Sequence, residues 1–214
     1  MKILNAFDVK NENDLINYLS NSDGEITLKI NSEIDITKKI NINSTIQKLY
    51  IIGDSLDSSK INLIHPLYFV SNIEEIKIKN ININGNLFFK NNEFITFDTV
   101  NLNGYIDSDF DENSNNYIEI ARLTYKPVKE LVENCINLSG NIKINSSYFY
   151  GNSSCRNRLL HYNGFKKYNL NIKKFYFIEY YECPFLSIKN VLNANIEASC
   201  FEKGYSTRNS DEGT

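Results

Sequence analysis

From about residue 76 onward, apolar and polar positions along the chain fall into one recurring register. If a first apolar residue is position zero, apolar residues return at plus two and often at plus five and plus seven. Ile76, Ile78, Ile81 and Ile83 fit it, closed by Asn84-Gly85; Ile95, Phe97, Val100 and Leu102 fit it, closed by Asn103-Gly104. Ile118, Ile120, Leu123 and Tyr125 follow, then Ile142, Ile144 and Phe149, with Ser147 at plus five and Gly151 closing. Leu170, Ile172, Phe175 and Phe177 come next, then Ala194, Ile196 and Phe201, with Ser199 at plus five. Such short alternation predicts strands with one buried face, and the polar step between plus two and plus five predicts a corner joining two of them. Earlier alternation is shorter: Ile26-Thr-Leu-Lys-Ile30, Ile34-Asp-Ile36, Ile40-Asn-Ile42 and Leu49-Tyr-Ile51. One stretch differs. Residues 11–20 predict a short helix, with Asn11 as cap, Asp14 in the first turn, and Leu15, Ile16 and Leu19 sharing a face.

The register starts lie 19, 23, 24, 28 and 24 residues apart. A period of that length made of short strands means a solenoid in which each repeat stacks on the last. Inward residues then form columns such as Ile78, Phe97, Ile120, Ile144, Ile172 and Ile196. One coil cannot bury its own inner face, and stacking at about 4.8 Å lets its neighbours do so. The competing architecture is an antiparallel sandwich with turns every 8–12 residues or so. The expectation is one domain over residues 1–214, with coils from about residue 24 to 206 and the helix as N-terminal cap.

Composition sharpens this picture. The 214 residues include 34 Asn and 29 Ile, with 3 Pro and no Trp. Ile favours strands, while Asn favours turns and tolerates the left-handed region, so the chain spells strand and corner in alternation. At this point it resembles the pectin-lyase-like right-handed parallel β-helices, over nearly its whole length. Stretches such as Lys143-Ile-Asn-Ser-Ser-Tyr-Phe-Tyr-Gly-Asn152 are also similar to the Asn-rich β-helical surface proteins of anaerobic gut fungi. That group includes the large scaffoldins of fungal cellulosomes, whose repeats bind enzyme-borne dockerins. The first resemblance implies an all-β fold, a right-handed parallel β-helix; the second implies a cohesin-like, extracellular role.

With 23 basic and 26 acidic side chains the net charge is −3, which argues against a nucleic-acid partner held by a basic surface. No run approaches the roughly 18 apolar residues of a membrane-spanning helix. The N-terminus lacks the apolar run of a signal peptide, so Met1 is either a native start or one placed after a removed leader. Sequons at Asn43, Asn137, Asn145 and Asn152 lean toward secretion. The polar end, Ser206 to Thr214, reads as part of something longer.

Enzymes of the first resemblance hydrolyse or eliminate acidic polysaccharides. The Asn-Thr-Asp, Asp-Asp, Gly-His-Gly and Arg-Ile-Lys motifs of the polygalacturonase-like family are absent. A lyase-like site needs carboxylates holding Ca²⁺ and a base nearby, and its nearest candidate is Asp98 with Glu119 and Arg122. The bland alternative is a solvated charge pair. Asp107-Ser-Asp-Phe-Asp-Glu112 is either a Ca²⁺-wrapping run or a solvated loop lengthening one coil. His65 and His161 share no motif, and no phosphate loop, nucleophile elbow or zinc motif occurs. The expectation is a protein that is not an enzyme and holds neither cofactor nor metal.

Cys135, Cys155, Cys183 and Cys200 have no Cys-x-x-Cys spacing. Cys155 lies 13 residues after Ile142 and Cys183 lies 13 after Leu170, which stacks them within disulfide reach or as two buried thiols in one column. A bridge needs an oxidising compartment.

Position plus six points outward, and its occupants are Asn82, Asn101, Thr124, Tyr148, Tyr176 and Cys200. Around it stand Tyr150, Tyr162, Phe165, Tyr168, Tyr180, Tyr181 and Phe185, with Arg156, Arg158, Lys166 and Lys167 adding cations beside the rings. These rings either form a contact surface or cover long loops. The leading expectation is a non-catalytic extracellular module that binds a protein, such as a dockerin, through Tyr148, Tyr150, Tyr176, Tyr180 and Tyr181. The second is a carbohydrate-binding or polysaccharide-degrading β-helix using the same face, and a third is a structural spacer.

Overall fold

Each apolar register opens a strand in a continuous parallel stack. The computed structural model describes residues 5–70, 72–113, 115–128, 130–178 and 185–202. In chain order these hold β1 (Asn5–Val9), α1 (Glu12–Asn21), β2 (Gly24–Ile30), β3 (Glu33–Ile36), β4 (Ile46–Gly53), β5 (Lys60–Leu63) and β6 (Leu67–Phe69). Then come β7 (Glu75–Asn84), β8 (Leu87–Lys90), β9 (Phe94–Asn103), β10 (Ile106–Asp109), β11 (Tyr117–Lys126) and β12 (Val132–Ser139). The last are β13 (Asn141–Tyr150), β14 (Cys155–Asn163), β15 (Asn169–Ile178), β16 (Leu186–Lys189), β17 (Asn193–Glu197) and β18 (Cys200–Glu202). Every pairing among the described residues is parallel, which excludes the antiparallel sandwich. The chain is a parallel β-solenoid of about eight turns.

The solenoid has three faces. The first runs β1-β2-β4-β7-β9-β11-β13-β15-β17, and the third runs β6-β8-β10-β12-β14-β16. The second face uses the far halves of the long strands. In β7, for example, Glu75–Lys79 pair with β4 while Asn82–Asn84 pair with β5. Register zero pairs directly from coil to coil: Ile76 with Ile95, Ile118, Ile142, Leu170 and Ala194 in turn. The column from Ile78 to Ile172 is at most 1 % exposed, which is how stacking hides what one coil leaves open. A phenylalanine and tyrosine core, Tyr125, Phe149, Phe175 and Phe177, fills the wider C-terminal coils. The buried Tyr125 hydroxyl donates to Gly104 O at 2.6 Å, so its polar tip is satisfied.

The corner between the first and second faces has one recipe. Position plus four is left-handed in every register: Asn80, Thr99, Arg122, Ser146, Lys174 and Ala198, with φ between 48° and 59°. A non-glycine residue there costs about 1–2 kcal/mol, and a β-branched one fits worst. Thr99→Asn, which copies Asn80 of the adjacent coil, is therefore expected to raise stability by roughly 0.5–1 kcal/mol in urea melts. The corner to the third face uses glycine instead. Gly85 has φ +142, and a Cβ on Gly104 would meet Gly85 O at 1.9 Å, so these two glycines let successive coils close up. At the corner back to the first face the solution is buried asparagine. Asn92, with no exposed surface, donates to Val70 O and Ile73 O at 2.8 and 2.9 Å and accepts from Lys90 N. Asn116, also fully buried, donates to Asn92 O one coil on.

At the N-terminal end α1 does what its pattern predicts. The Asn11 side chain accepts from Asp14 N at 3.1 Å, and Leu15 and Leu19 are buried. With Ile51, Ile61, Leu67 and Ile78 these leucines line a residual void of about 10 Å³ in the interior, so the helix plugs that end. The Glu12 carboxylate accepts from Thr37 N and Lys38 N, and these bonds hold its pKa below the usual range. β1 was not foreseen: it pairs with β2 ahead of the helix, placing Phe7 beside Leu28 and Val9 beside Ile30.

Neither a Cys155–Cys183 bridge nor a pair of free thiols is formed by Cys155, which is bridged elsewhere. Cys155 is joined to Cys135, with Cα atoms 5.3 Å apart, and both residues are fully buried. The count of 13 fails because the coil's sides differ in length. Ile142 pairs with Leu170, 28 residues on, whereas on the third face Leu160 pairs with Leu186, 26 residues on. β14 lies on β12 with an irregularity between Val132 and Asn134, and the Cys135–Cys155 bridge joins the two strands there. Cys183 lies outside the described residues, and Cys200 is a free thiol.

Candidate functional site

The second face presents an outward strip whose chemistry changes along the axis. Its N-terminal half is a ladder of amides. Asn62 donates to Glu33 Oε1 and Asp35 Oδ1 at 2.8 and 2.6 Å, Asn84 donates to Asn62, and Asn103 donates to Asn84, both at 2.7 Å. Asn101 donates to Asn82 at 2.8 Å in the parallel column. Most of the amide capacity here is spent within the strip.

The C-terminal half is aromatic. Position plus six pairs Thr124 with Tyr148, Tyr148 with Tyr176, and Tyr176 with Cys200, as the register predicts. The Tyr148 and Tyr176 rings are stacked at 4.8 Å and 11°, and they remain 42 % and 36 % exposed. Two positions along, Lys126 places its ammonium 5.1 Å from the centre of the Tyr150 ring. The arrangement is a rigid row of edges and hydroxyl tips, since the two stacked tyrosines spend one ring face on each other. Such a row offers contact area at low entropic cost.

The other aromatic expectations divide. Tyr162 and Tyr168 are buried: Tyr162 donates to Gly140 O at 2.9 Å and Tyr168 to Glu112 O at 3.3 Å. Burial pushes the Tyr162 hydroxyl well above its ordinary pKa. Phe185 packs on Phe177 with ring centres 5.2 Å apart, and Phe165 meets Tyr168 edge-on. These rings cover loops and core, and are not part of the strip. Tyr180 and Tyr181 lie outside the described residues. The expected cations also move. Arg156 and Arg158 lie on β14 of the third face and Lys166 and Lys167 at the corner beyond it, so Lys126 and Lys174 flank the tyrosines instead.

The lyase-like candidates divide: Asp98 and Arg122 meet, while Glu119 pairs elsewhere. Asp98 bonds Arg122 and sits 3.5 Å from Lys79, while Arg122 also donates to Thr99 Oγ1 at 2.9 Å. Glu119 is tied to Lys143 at 2.8 Å, which raises the lysine's pKa. Each carboxylate is thus matched by a cation on a neighbouring coil. In the 107–112 run, Ser108 and Phe110 are buried, and Asp111 accepts from the Asn91 side-chain amide. Among the described residues no three His, Cys, Asp or Glu side chains are placed to share a metal ion. His65 is exposed at the corner before β6. His161 sits on β14, where burial, then Lys189 and Arg158, push its imidazole below the ordinary value.

A shallow groove of about 350 Å³ lies on the first face, lined by Lys143, Asn145, Asn171, Lys173, Asn195 and Glu197. Of the sequon asparagines, Asn145 stands in this groove, while Asn43 and Asn152 donate to the carbonyls of Ser22 and Pro127. No helix among the described residues is long and apolar enough to cross a membrane. Comparison with protein-family models, with curated proteins and with solved structures gives no match.

Proposed function

We propose that the chain is a non-catalytic, extracellular protein-binding module of the pectin-lyase-like type. In this reading it acts as a cohesin-like scaffoldin repeat that docks enzyme-borne dockerins. The observation that carries the reading is the exposed Tyr148–Tyr176 stack, continued by Tyr150, on an otherwise self-satisfied flat strip. Stacked, pre-ordered tyrosines suit a protein surface, because the interface gains area without freezing loose side chains. The buried Cys135–Cys155 bridge fits an oxidising compartment. The test is a pull-down from the culture supernatant of the source organism with the tagged chain as bait. Several enzymes sharing one small appended domain are expected among the captured proteins. Capture of none, with retention on plant cell-wall polysaccharide, contradicts the reading.

A carbohydrate-binding role is the second reading, and the first-face groove is the observation that favours it. Two outward columns meet there, Lys143–Asn171–Asn195 and Asn145–Lys173–Glu197, setting amides beside charged groups. Retarded migration in gels containing soluble polysaccharide, lost on Asn171→Ala, is the outcome that would support it.

A further inference from the structure

We infer that the partner of the tyrosine strip presents an acidic surface, one in which carboxylates flank the groups that contact the rings. The inference rests on the protein-binding reading above and adds the charge of the partner. The molecule as a whole is acidic, at −3, yet its charges on the second face are sorted. Glu33 and Asp35 occupy the far N-terminal end and are already engaged by Lys60 and Asn62. Around the tyrosines the balance reverses. Lys126 adjoins Tyr150 with its ammonium against the ring, a contact that leaves hydrogen-bond donors available to an incoming carboxylate. Lys174 is exposed at the corner two residues before Tyr176. Arg122 adds to the field, although Asp98 and Thr99 hold it. Among the described residues beside the tyrosine columns, Glu202 stands next to Ile178 at the outermost described coil. Among the described residues, Lys126 and Lys174 therefore bracket Tyr148, Tyr150 and Tyr176 and give this end of the strip its basic character. Carboxylates opposite them speed encounter and fix register, and a basic partner is repelled from the lysines.

The test uses a displayed library of short random peptides, selected on the immobilised 214-residue chain. Enriched peptides are expected to carry excess Asp and Glu beside apolar residues and to bind the Tyr148→Ala/Tyr176→Ala variant poorly. They are also expected to lose about tenfold in affinity for a Lys126→Glu/Lys174→Glu variant, and to weaken as salt is raised. A thermal melt of each variant checks that the fold is intact. Peptides that need the tyrosines but show no acidic excess, or that ignore the lysine changes, overturn the charge inference alone. Peptides that bind the tyrosine variant equally well, or a library that yields none, overturn the placement of the site as well.

Discussion

Replacing Cys135 and Cys155 together with alanine is expected to cost about 3 kcal/mol of stability, the loop-closure value for a span of this length. The bridge spans 20 residues and staples two consecutive coils on the third face, where β12 and β14 meet at an irregular register. Each single alanine variant should lose the same stabilisation, because either one opens the bridge. Cys183→Ala should not cost this loop-closure stabilisation, since Cys155 is already paired with Cys135. That ordering separates the observed pairing from the Cys155–Cys183 alternative. Destabilisation by Cys183→Ala, with Cys135→Ala silent, contradicts the structure.

Phe149→Ala is expected to cost about 3–5 kcal/mol, the range for emptying an aromatic site in a packed core. Phe149 is fully buried, with ring centres of Phe175, Tyr125 and Phe177 at 4.5, 5.5 and 6.0 Å. The cavity would open between three coils at once, so neighbours on both sides lose contact. Phe94, by contrast, is 52 % exposed on the first face, and Phe94→Ala should cost well under 1 kcal/mol. Equal midpoints for the two variants would contradict the assigned inward and outward columns. Phe149 also lies between Tyr148 and Tyr150, so its removal should disturb the strip, while an outward change should leave the core alone.

Most of the architecture was legible because inward residues repeat at fixed positions that the backbone must honour. The six register starts pair as spaced, and plus four, within the step between plus two and plus five, is the left-handed corner. β1 escaped notice because only Phe7 and Val9 keep its phase, too little alternation to stand out. The cysteine pairing was hidden for a different reason. Counting from the first face assumes that every corner has the same length, and the corners before β12, β14 and β16 do not. The same variable corners left open whether Tyr162, Tyr168 and the Arg156–Lys167 cations line the strip or cover loops, since their faces depend on where β14 begins. At the site, plus six followed directly from the register and so put Tyr148 and Tyr176 together. The asparagine ladders are long-range contacts between coils, and sequence alone gives Asn only its local turn preference.

The most direct test of the account is the affinity of a captured partner for the wild-type chain and for Tyr148→Ala and Tyr176→Ala. The account predicts at least about tenfold weaker binding for each variant, with melting temperatures within a few degrees of the parent, since both side chains lie outside the core. Unchanged affinity in both variants, at unchanged stability, would contradict the assignment of the tyrosine strip as the docking surface.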